Sequence, residues 1–374
     1  MTNILLILTD QHRLSAMGCY GDTPCRTPNL DRLAREGVRF ETAYTACPVC
    51  SPARASVMTG LYPHQHGVCS NVHNLGNSVH ELPDGPHLLS RRLGRAGLRC
   101  GYTGKWHLGT DTGSAFGAPA RPSLPRDVGF EGQNFSGHGG GGFEYPEYRA
   151  YLDEHGYEHR IEPSEGMSTR TFCNGIRFGT LAGPVESTVP YFLTDHTIGL
   201  IDGYRAAGEP FFVWHNFWGP HTPYVAPRDY VDMYRNVAIP PWPNFRWDGA
   251  GANAPHQVKL HPERGELTWD DWADAVRHYY AFATLIDDQV GRLMDRLRDT
   301  GALEDTLVIF SADHGETLGS HGGLTDKGWQ HFEEIQRIPF IVRPPDGWTG
   351  VERGRVCHEW ASLLDLYPTI IEAA

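Results

Sequence analysis

The chain has 374 residues, of which 40% are hydrophobic and 21% are charged, and this composition is typical of a folded globular protein. Its 45 acidic and 32 basic residues give a formal net charge of −13, which disfavours nucleic acid and anionic membrane surfaces as partners. No apolar run is long enough to span a membrane, and the N-terminal residues lack the pattern of a signal peptide, so we expect a cytoplasmic protein.

Predicted strands and helices alternate along the chain. The predicted strands occupy residues 3–9, 38–40, 98–102, 211–216, 306–312 and 339–342. One helix opens at Pro28, with Thr27 as its cap, and ends at Gly37, and others occupy residues 51–59, 88–95 and 269–298. Asp287 and Asp288 lie in the last of these and are interpreted as a solvated face. The alternation predicts an α/β fold in which a doubly wound, mostly parallel sheet is flanked by helices.

Residues 110–190 interrupt this alternation. The segment is rich in glycine, proline and aromatic residues, with four consecutive glycines at 139–142. We predict a loop-rich excursion at the rim of the sheet, where such segments often shape access to a site. Residues 1–374 are expected to form a single domain. Its last amphipathic helix runs to Ala374 without a cap, which indicates either an abrupt end or a truncated sequence.

Polar residues follow several of the predicted strands. In open α/β sheets, ligands bind outside the carboxyl ends of the strands, so side chains at these positions are expected to converge. They are Asp10 and Gln11, Lys105 and His107, His221, and Asp313 and His314.

Four of these residues form a candidate metal site. Asp10, Gln11, Asp313 and His314 supply two carboxylates, an amide oxygen and an imidazole. An oxygen-rich set suits a hard divalent ion such as Ca²⁺, Mg²⁺ or Mn²⁺. The alternative is that an aspartate after a strand simply caps the next helix.

Cys50 is the candidate nucleophile. A helix beginning at Ser51 would direct its positive end at Cys50, and Arg54, one turn further on, adds a fixed charge able to hold an oxyanion. Cys47 and Cys50 also form a C-x-x-C pair, but no second such pair exists in the sequence to complete a four-cysteine zinc site. The alternative for Cys50 is a buried, inert thiol.

Residues 50–54, with the sequence CSPAR, match the C-x-P-x-R signature of the type I sulfatases of the alkaline phosphatase superfamily. Other segments resemble the same family: LLILTDQHR at 5–13, ASVMTGLYPHQHGV at 55–68, GYTGKWHLG at 101–109, PHTPY at 220–224, SADHGE at 311–316, and Lys327. These motifs extend in family order to about residue 343, so the resemblance covers nearly the whole chain and is far more specific than any single motif.

The resemblance implies that Cys50 is oxidised to formylglycine by a formylglycine-generating enzyme. The aldehyde hydrate is a geminal diol: one hydroxyl attacks sulfur and displaces the alcohol, and the other expels sulfate and restores the aldehyde. A serine at position 50 could attack but lacks the second hydroxyl.

The resemblance also assigns roles to the other site residues. It implies that Asp10, Gln11, Asp313, His314 and the modified Cys50 bind one divalent metal ion. Arg54 and His107 would support the diol, and Lys105, Lys327 and His221 would face the sulfate, with His221 or Lys327 protonating the leaving oxygen. Ca²⁺ is the ion expected by default in this family. Many sulfatases have Asp where Gln11 stands and Asn where His314 stands, and the loss of one negative charge and the softer imidazole ligand make Mn²⁺ the alternative.

The predicted function is hydrolysis of a sulfate monoester of a small molecule or saccharide, in a single sulfatase catalytic domain. The family normally continues with a small C-terminal subdomain, which we expect to be missing here. Two alternatives stay open: a phosphonate monoester or phosphodiester hydrolase that uses the same aldehyde, and an inactive truncated chain that binds anions. The Gln11 and His314 pair resembles the choline-sulfatase and phosphonate monoester hydrolase branches, whereas Lys105 and His107 favour sulfate esters.

Overall fold

The computed structural model describes residues 1–72, 74, 76–110, 123–135, 139–163, 178–245, 268–327 and 330–374. The strands are β1 (Asn3–Asp10), β2 (Val38–Tyr44), β3 (Arg99–Gly104), β4 (Glu131–Gly132), β5 (Ile161–Pro163), β6 (Phe178–Leu181), β7 (Phe211–Pro220), β8 (Tyr224–Pro227), β9 (Thr306–Ala312), β10 (Phe340–Arg343) and β11 (Arg355–Ser362). The helices are α1 (Pro28–Glu36), α2 (Cys50–Thr59), α3 (Pro63–His66), α4 (Leu89–Arg95), α5 (Pro146–His155), α6 (Val189–Ala206), α7 (Arg228–Asp232), α8 (Trp269–Asp299), α9 (Ser320–Gly323), α10 (Glu333–Gln336) and α11 (Leu366–Ala373).

The main sheet has eight strands in the order β11-β2-β10-β9-β1-β7-β3-β4. All neighbouring pairs are parallel except those of β10, which runs antiparallel to both β9 and β2. A second sheet of three short strands has the order β5-β6-β8. The mostly parallel main sheet confirms the predicted architecture.

Side chains of β1 alternate between two hydrophobic cores because successive residues of a strand point to opposite faces. Leu5 and Ile7 belong to the core that contains α1, α6 and α8. Ile4, Leu6 and Leu8 belong to the other core, which contains α2, α4 and α11. All of β1 is buried, so helices cover both faces of the sheet, as a doubly wound fold requires.

The predicted excursion over residues 110–190 is only partly irregular. Its described part contains α5, the short strand β4 at the edge of the main sheet, and strands β5 and β6 of the second sheet. Residues 111–122, 136–138 and 164–177 of this prediction lie outside the described residues. Among the residues that the structure describes, no helix is both long and apolar enough to cross a membrane.

Two local predictions for helices are wrong. Asp287 is fully buried rather than solvated, and its carboxylate accepts hydrogen bonds from the backbone N–H groups of Asn29 and Leu30, at 3.0 and 2.8 Å, and from the Asn29 side chain. Thr27 does not cap α1, because its hydroxyl accepts from the Gly18 backbone N–H. The carboxylate of Asp287 therefore caps α1 from helix α8.

We expect Asp287→Ala to lower the free energy of unfolding by about 2–4 kcal/mol, because each buried donor left unpaired costs about 1–3 kcal/mol. Urea unfolding followed by circular dichroism measures the change. Asp299→Ala, an exposed substitution in the last turn of the same helix, is the control and should have little effect. Equal stability of the two variants would show that Asp287 does not cap α1.

Candidate active site

The parallel strands bring the predicted site residues to one edge of the sheet. In the register of the sheet, Leu8 of β1 lies beside Ser311 of β9 and Asn216 of β7, and Asn216 lies beside Gly104 of β3. The polar residues that follow these positions therefore come together although they are far apart in the chain. They are Asp10, Gln11, Lys105, His107, His221, Asp313 and His314.

Cys50 is the first residue of α2, so it lies at the positive end of that helix. The start of α2 is held by Ser51, whose Oγ donates to the His107 carbonyl oxygen at 2.6 Å and accepts from the Val72 backbone N–H at 3.2 Å. His107 is buried, and its positive φ of 53° turns the chain there after β3. Position 50 is thus fixed relative to Lys105 and His107.

Four buried side chains form a cluster that fits a metal ion. Asp10, Cys50, Asp313 and His314 each place one ligand atom within 4.8 Å of the others. His314 Nε2 lies 3.3 Å from Cys50 Sγ, 3.6 Å from Asp313 Oδ1 and 4.0 Å from Asp10 Oδ1. Ligands at right angles around an ion at about 2.3–2.6 Å lie roughly 3.3–3.7 Å apart, so the spacing and the donor types both suit a divalent cation.

The orientation of His314 also suits a ligand. Its Nδ1 lies 2.9 Å from the Gly315 carbonyl oxygen, so Nδ1 carries a proton and Nε2 faces the cluster. Burial lowers the pKa of His314, but Asp313 and Cys50 outweigh burial and raise it to about 9. Binding of a cation at Nε2 would therefore displace a proton.

Arg54 lies between the two carboxylates of the cluster. Its guanidinium is 3.1 Å from Asp10 Oδ2 and 3.1 Å from Asp313 Oδ2, and it also donates to Asn216 Oδ1 at 2.8 Å and to the Lys105 carbonyl oxygen at 2.9 Å. All of these side chains are fully buried. Arg54 therefore braces the two aspartates, and Asn216 completes its hydrogen bonding.

Lys105 makes the second ion pair to Asp10 Oδ2 and has no exposed surface. Burial would raise the pKa of Asp10, but Lys105, His221 and Arg54 outweigh it and hold that pKa well below its usual value. The pKa of Asp313 is raised, because burial and the neighbouring Asp10 both oppose its ionisation. The pKa of one carboxylate is lowered and the pKa of the other is raised. A divalent cation at the cluster would stabilise the ionised form of both.

Lys327, His221 and Gln11 form a second polar group beside the cluster. Lys327 Nζ lies 2.8 Å from Gln11 Oε1, 2.9 Å from His221 Nε2 and 3.0 Å from Asp326 Oδ1. His221 Nδ1 lies 2.8 Å from the Thr222 carbonyl oxygen, which assigns its proton to Nδ1 and leaves Nε2 to accept from Lys327. Burial lowers the pKa of Lys327, but Asp326 and Cys50 outweigh burial, so its pKa is raised and it stays cationic.

These charges act on Cys50. Burial and Asp10 would raise the pKa of its thiol, but Lys105, Lys327 and His314 outweigh them and bring the pKa below its ordinary value. The site therefore stabilises an anion at position 50, as the helix terminus also does.

The sequence analysis did not identify three residues that hold this arrangement. Ser51 fixes the start of α2, Asn216 binds Arg54, and buried Glu316 binds the Gln11 side chain. Asn216 and Glu316 each carried a sequence signal, because both are polar residues at or just after the end of an apolar strand.

The mostly parallel sheet, with a candidate metal cluster beyond the carboxyl ends of its strands, fits a hydrolase of the alkaline phosphatase superfamily. The chain belongs to the sulfatase family, whose model matches residues 2–374. It is 30% identical over 387 residues to the uncharacterized sulfatase YidJ of Escherichia coli K12, covering 100% of this chain and 67% of that protein. It is 31% identical over 407 residues to the multifunctional alkaline phosphatase superfamily protein PehA of Trinickia caryophylli, covering 99% of this chain and 73% of that protein.

Solved structures show the same fold. The phosphonate monoester hydrolase of Agrobacterium radiobacter has a TM-score of 0.73 at 26% identity, covering 100% of this chain and 73% of that one. The putative sulfatase yidJ from Bacteroides fragilis has a TM-score of 0.71 at 26% identity, covering 99% of this chain and 73% of that one. With its family established, the chain is an enzyme of the class that hydrolyses sulfuric esters.

Proposed function

We propose that this enzyme cleaves sulfate monoesters with a hydrated formylglycine at position 50 and one divalent cation bound by Asp10, Gln11, Asp313 and His314. The observation that carries the proposal is the position of Cys50. It lies at the positive end of α2 and inside the ligand cluster, with its Sγ 3.3 Å from His314 Nε2 and 3.8 Å from Asp10 Oδ1.

The aldehyde hydrate and the divalent cation would each supply one kind of chemistry. The hydrated aldehyde, installed by a formylglycine-generating enzyme, offers one hydroxyl for attack on sulfur and a second that allows sulfate to be expelled. A cation at the cluster, Ca²⁺ by family resemblance or Mn²⁺ as the alternative, would polarise the sulfate and lower the pKa of a neighbouring hydroxyl.

The side chains of the chain itself have distinct tasks in this proposal. Lys105, which is fully buried, and Lys327, which is partly buried, stabilise the negative charge of the transferred group. Cationic groups act most strongly where water is excluded. Arg54 keeps the two aspartates in place, and His107, whose carbonyl anchors Ser51, supports the start of α2 and hence residue 50.

Lys327 is the proposed donor of the proton to the leaving oxygen. His221 carries its proton on Nδ1, which faces the Thr222 carbonyl, and it accepts from Lys327 at Nε2. His221 is therefore assigned the task of orienting the Lys327 ammonium. Its three N–H groups face Gln11, His221 and Asp326 in this structure, and one of them would turn to the alcohol and transfer its proton.

The proposed substrate is a sulfate ester of a small molecule or a saccharide. Relatives of this chain include an arylsulfatase of Clostridium perfringens and an N-acetylglucosamine-6-O-sulfatase of Bacteroides thetaiotaomicron, each 25% identical. The second candidate is a phosphonate monoester hydrolase, which the structural similarity to the Agrobacterium radiobacter enzyme favours.

The two candidates are separated by relative rates. We expect the enzyme, with formylglycine at position 50 verified by mass spectrometry of the tryptic peptide and with metal supplied, to have a higher kcat/KM for 4-nitrophenyl sulfate than for 4-nitrophenyl phenylphosphonate. The reason is that Lys105 adds a second ammonium, fully buried and paired with Asp10, to the charges around the group that would be transferred. A preference for the phosphonate by a wide margin would replace the sulfatase proposal with the second candidate, and full activity with an unmodified Cys50 would contradict both.

A further inference from the structure

The side chain of Gln11 lies between two groups of opposite charge. Its Oε1 is 2.8 Å from the ammonium of Lys327, and its Nε2 donates to Glu316 Oε2. An ammonium has only donors, and an ionised carboxylate has only acceptors. The amide of Gln11 therefore has one allowed orientation beside these two groups, with its oxygen toward Lys327 and its nitrogen toward Glu316.

The carboxylate of Glu316 is fully buried, and both of its oxygens accept hydrogen bonds. Its Oε1 accepts from the backbone N–H groups of Leu318 at 2.9 Å and Asp326 at 2.6 Å, and its Oε2 accepts from the Tyr224 hydroxyl at 3.1 Å and from Gln11 Nε2. These four donors, with the Thr317 hydroxyl at 3.4 Å from Oε1 as a weaker fifth, occupy all the positions at which an ionised carboxylate accepts. Glu316 therefore cannot turn away from Gln11 without leaving buried donors unpaired.

The backbone of Gln11 is fixed as well. Its φ is 63°, its N–H donates to Asp313 Oδ1 at 3.1 Å, and its carbonyl oxygen accepts from the Tyr279 hydroxyl at 2.8 Å. Only the terminal amide of Gln11 can still turn, and its two hydrogen-bond partners, Lys327 at the oxygen and Glu316 at the nitrogen, hold it in one orientation.

We infer that Glu316 is a positioning residue that directs Gln11 Oε1 toward the metal cluster and so makes a neutral amide usable as a ligand. The inference rests on the proposed metal site. Hard cations bind amide oxygen and not the amide nitrogen, so a flipped Gln11 would remove one ligand. Many sulfatases have Asp at the position of Gln11. Here the third carboxylate of the site belongs to Glu316, which hydrogen-bonds to the ligand Gln11 and is not itself a ligand.

Isosteric substitutions test this inference. In Glu316→Gln, the new amide must place an N–H group against either Gln11 Nε2 or the two backbone donors, so donor meets donor. We expect its affinity for Mn²⁺ and Ca²⁺ to fall by about 10–100-fold, the usual effect of losing a partner that orients a ligand. In the double variant Gln11→Glu/Glu316→Gln, the amide at position 316 donates to the carboxylate at position 11. We expect this exchange to restore most of the affinity.

Tyr224→Phe is the matched control, because it removes a hydrogen bond from the same carboxylate oxygen without changing the partner of Gln11. We expect its metal affinity to stay close to that of the wild type. The measurement is calorimetric titration of Mn²⁺ and Ca²⁺ into chelator-treated proteins that share one state of residue 50, with thermal unfolding as the check of folding.

The outcomes test the positioning role of Glu316 separately from the proposed metal site. A wild type that binds neither ion contradicts the metal site itself. A wild type that binds, with Glu316→Gln binding equally well, contradicts the positioning role alone. So does equal weakening by Glu316→Gln and Tyr224→Phe, or a double variant as weak as Glu316→Gln. If Gln11→Glu alone binds metal most tightly of all, total charge and not amide orientation controls the site, and the inference is wrong.

Discussion

Cys50→Ala is expected to have no measurable sulfatase turnover, and Cys50→Ser is expected to complete at most one attack per molecule. Alanine removes the nucleophile, whereas a serine hydroxyl can form a sulfate ester but has no second hydroxyl to expel sulfate. Turnover of 4-nitrophenyl sulfate measures the first effect. Intact-protein mass spectrometry after incubation with substrate measures the second, as one added sulfo group on the serine variant.

Cys47→Ala is the matched control for this prediction. Cys47 lies three residues before Cys50, and among the residues that the structure describes its thiol is not part of the cluster of Asp10, Cys50, Asp313 and His314. We expect it to keep wild-type activity. Multiple turnovers by Cys50→Ala would end the proposed mechanism, and a dependence on both cysteines would point to thiol redox chemistry instead.

Asp313→Ala is expected to remove the bound metal and to lower kcat/KM by roughly 10³-fold or more, because a catalytic cation contributes several kcal/mol of transition-state stabilisation. Asp313 offers Oδ1 to the cluster, where it lies 3.6 Å from His314 Nε2, while its Oδ2 binds Arg54. Elemental analysis of the purified protein gives the metal content, and activity before and after chelation gives the link to catalysis.

Asp313→Ala is also expected to destabilise the fold, because removing one member of a buried ion pair lowers the free energy of unfolding by about 3–5 kcal/mol. The experiment therefore needs a control for loss of stability. Asp287→Ala is this control, because it removes an equally buried carboxylate from a different part of the molecule. It should be less stable than the wild type yet retain metal and activity per folded molecule. Full activity of the wild type after exhaustive chelation would contradict the role of a cation.

The strands at the centre of the sheet could be predicted well from the sequence. The prediction of a strand over residues 306–312 agrees with β9, and β1 extends the predicted strand by one residue, to Asp10. Both are buried on two faces, so they appear as continuous apolar runs. The direction of β10 was not predicted, because residue type indicates a strand but not which way it runs. The strands of the second sheet are three or four residues long, too short for a periodic pattern.

The candidate site was predictable where a polar residue directly follows an apolar strand. Residues that act through partners distant in sequence were not. The carboxylate of Asp287 binds the amide of Asn29, 258 residues away in the sequence, and Glu316 binds Gln11, 305 residues away. A charged residue in a helix usually faces water, and only the packing of α8 against α1 makes Asp287 a cap.

The complete burial of Cys50 bears on the order in which the proposed modification and folding would occur. Residue 50 has no exposed surface, and it begins a helix that is packed against β1 and β9 by the Arg54 ion pairs. An enzyme that oxidised Cys50, as proposed above, would have to reach a side chain that the folded protein does not expose. Under that proposal, oxidation of Cys50 would precede folding of this region. A chain that folded first would keep its thiol, so the active fraction of a preparation would reflect a kinetic competition and not an equilibrium.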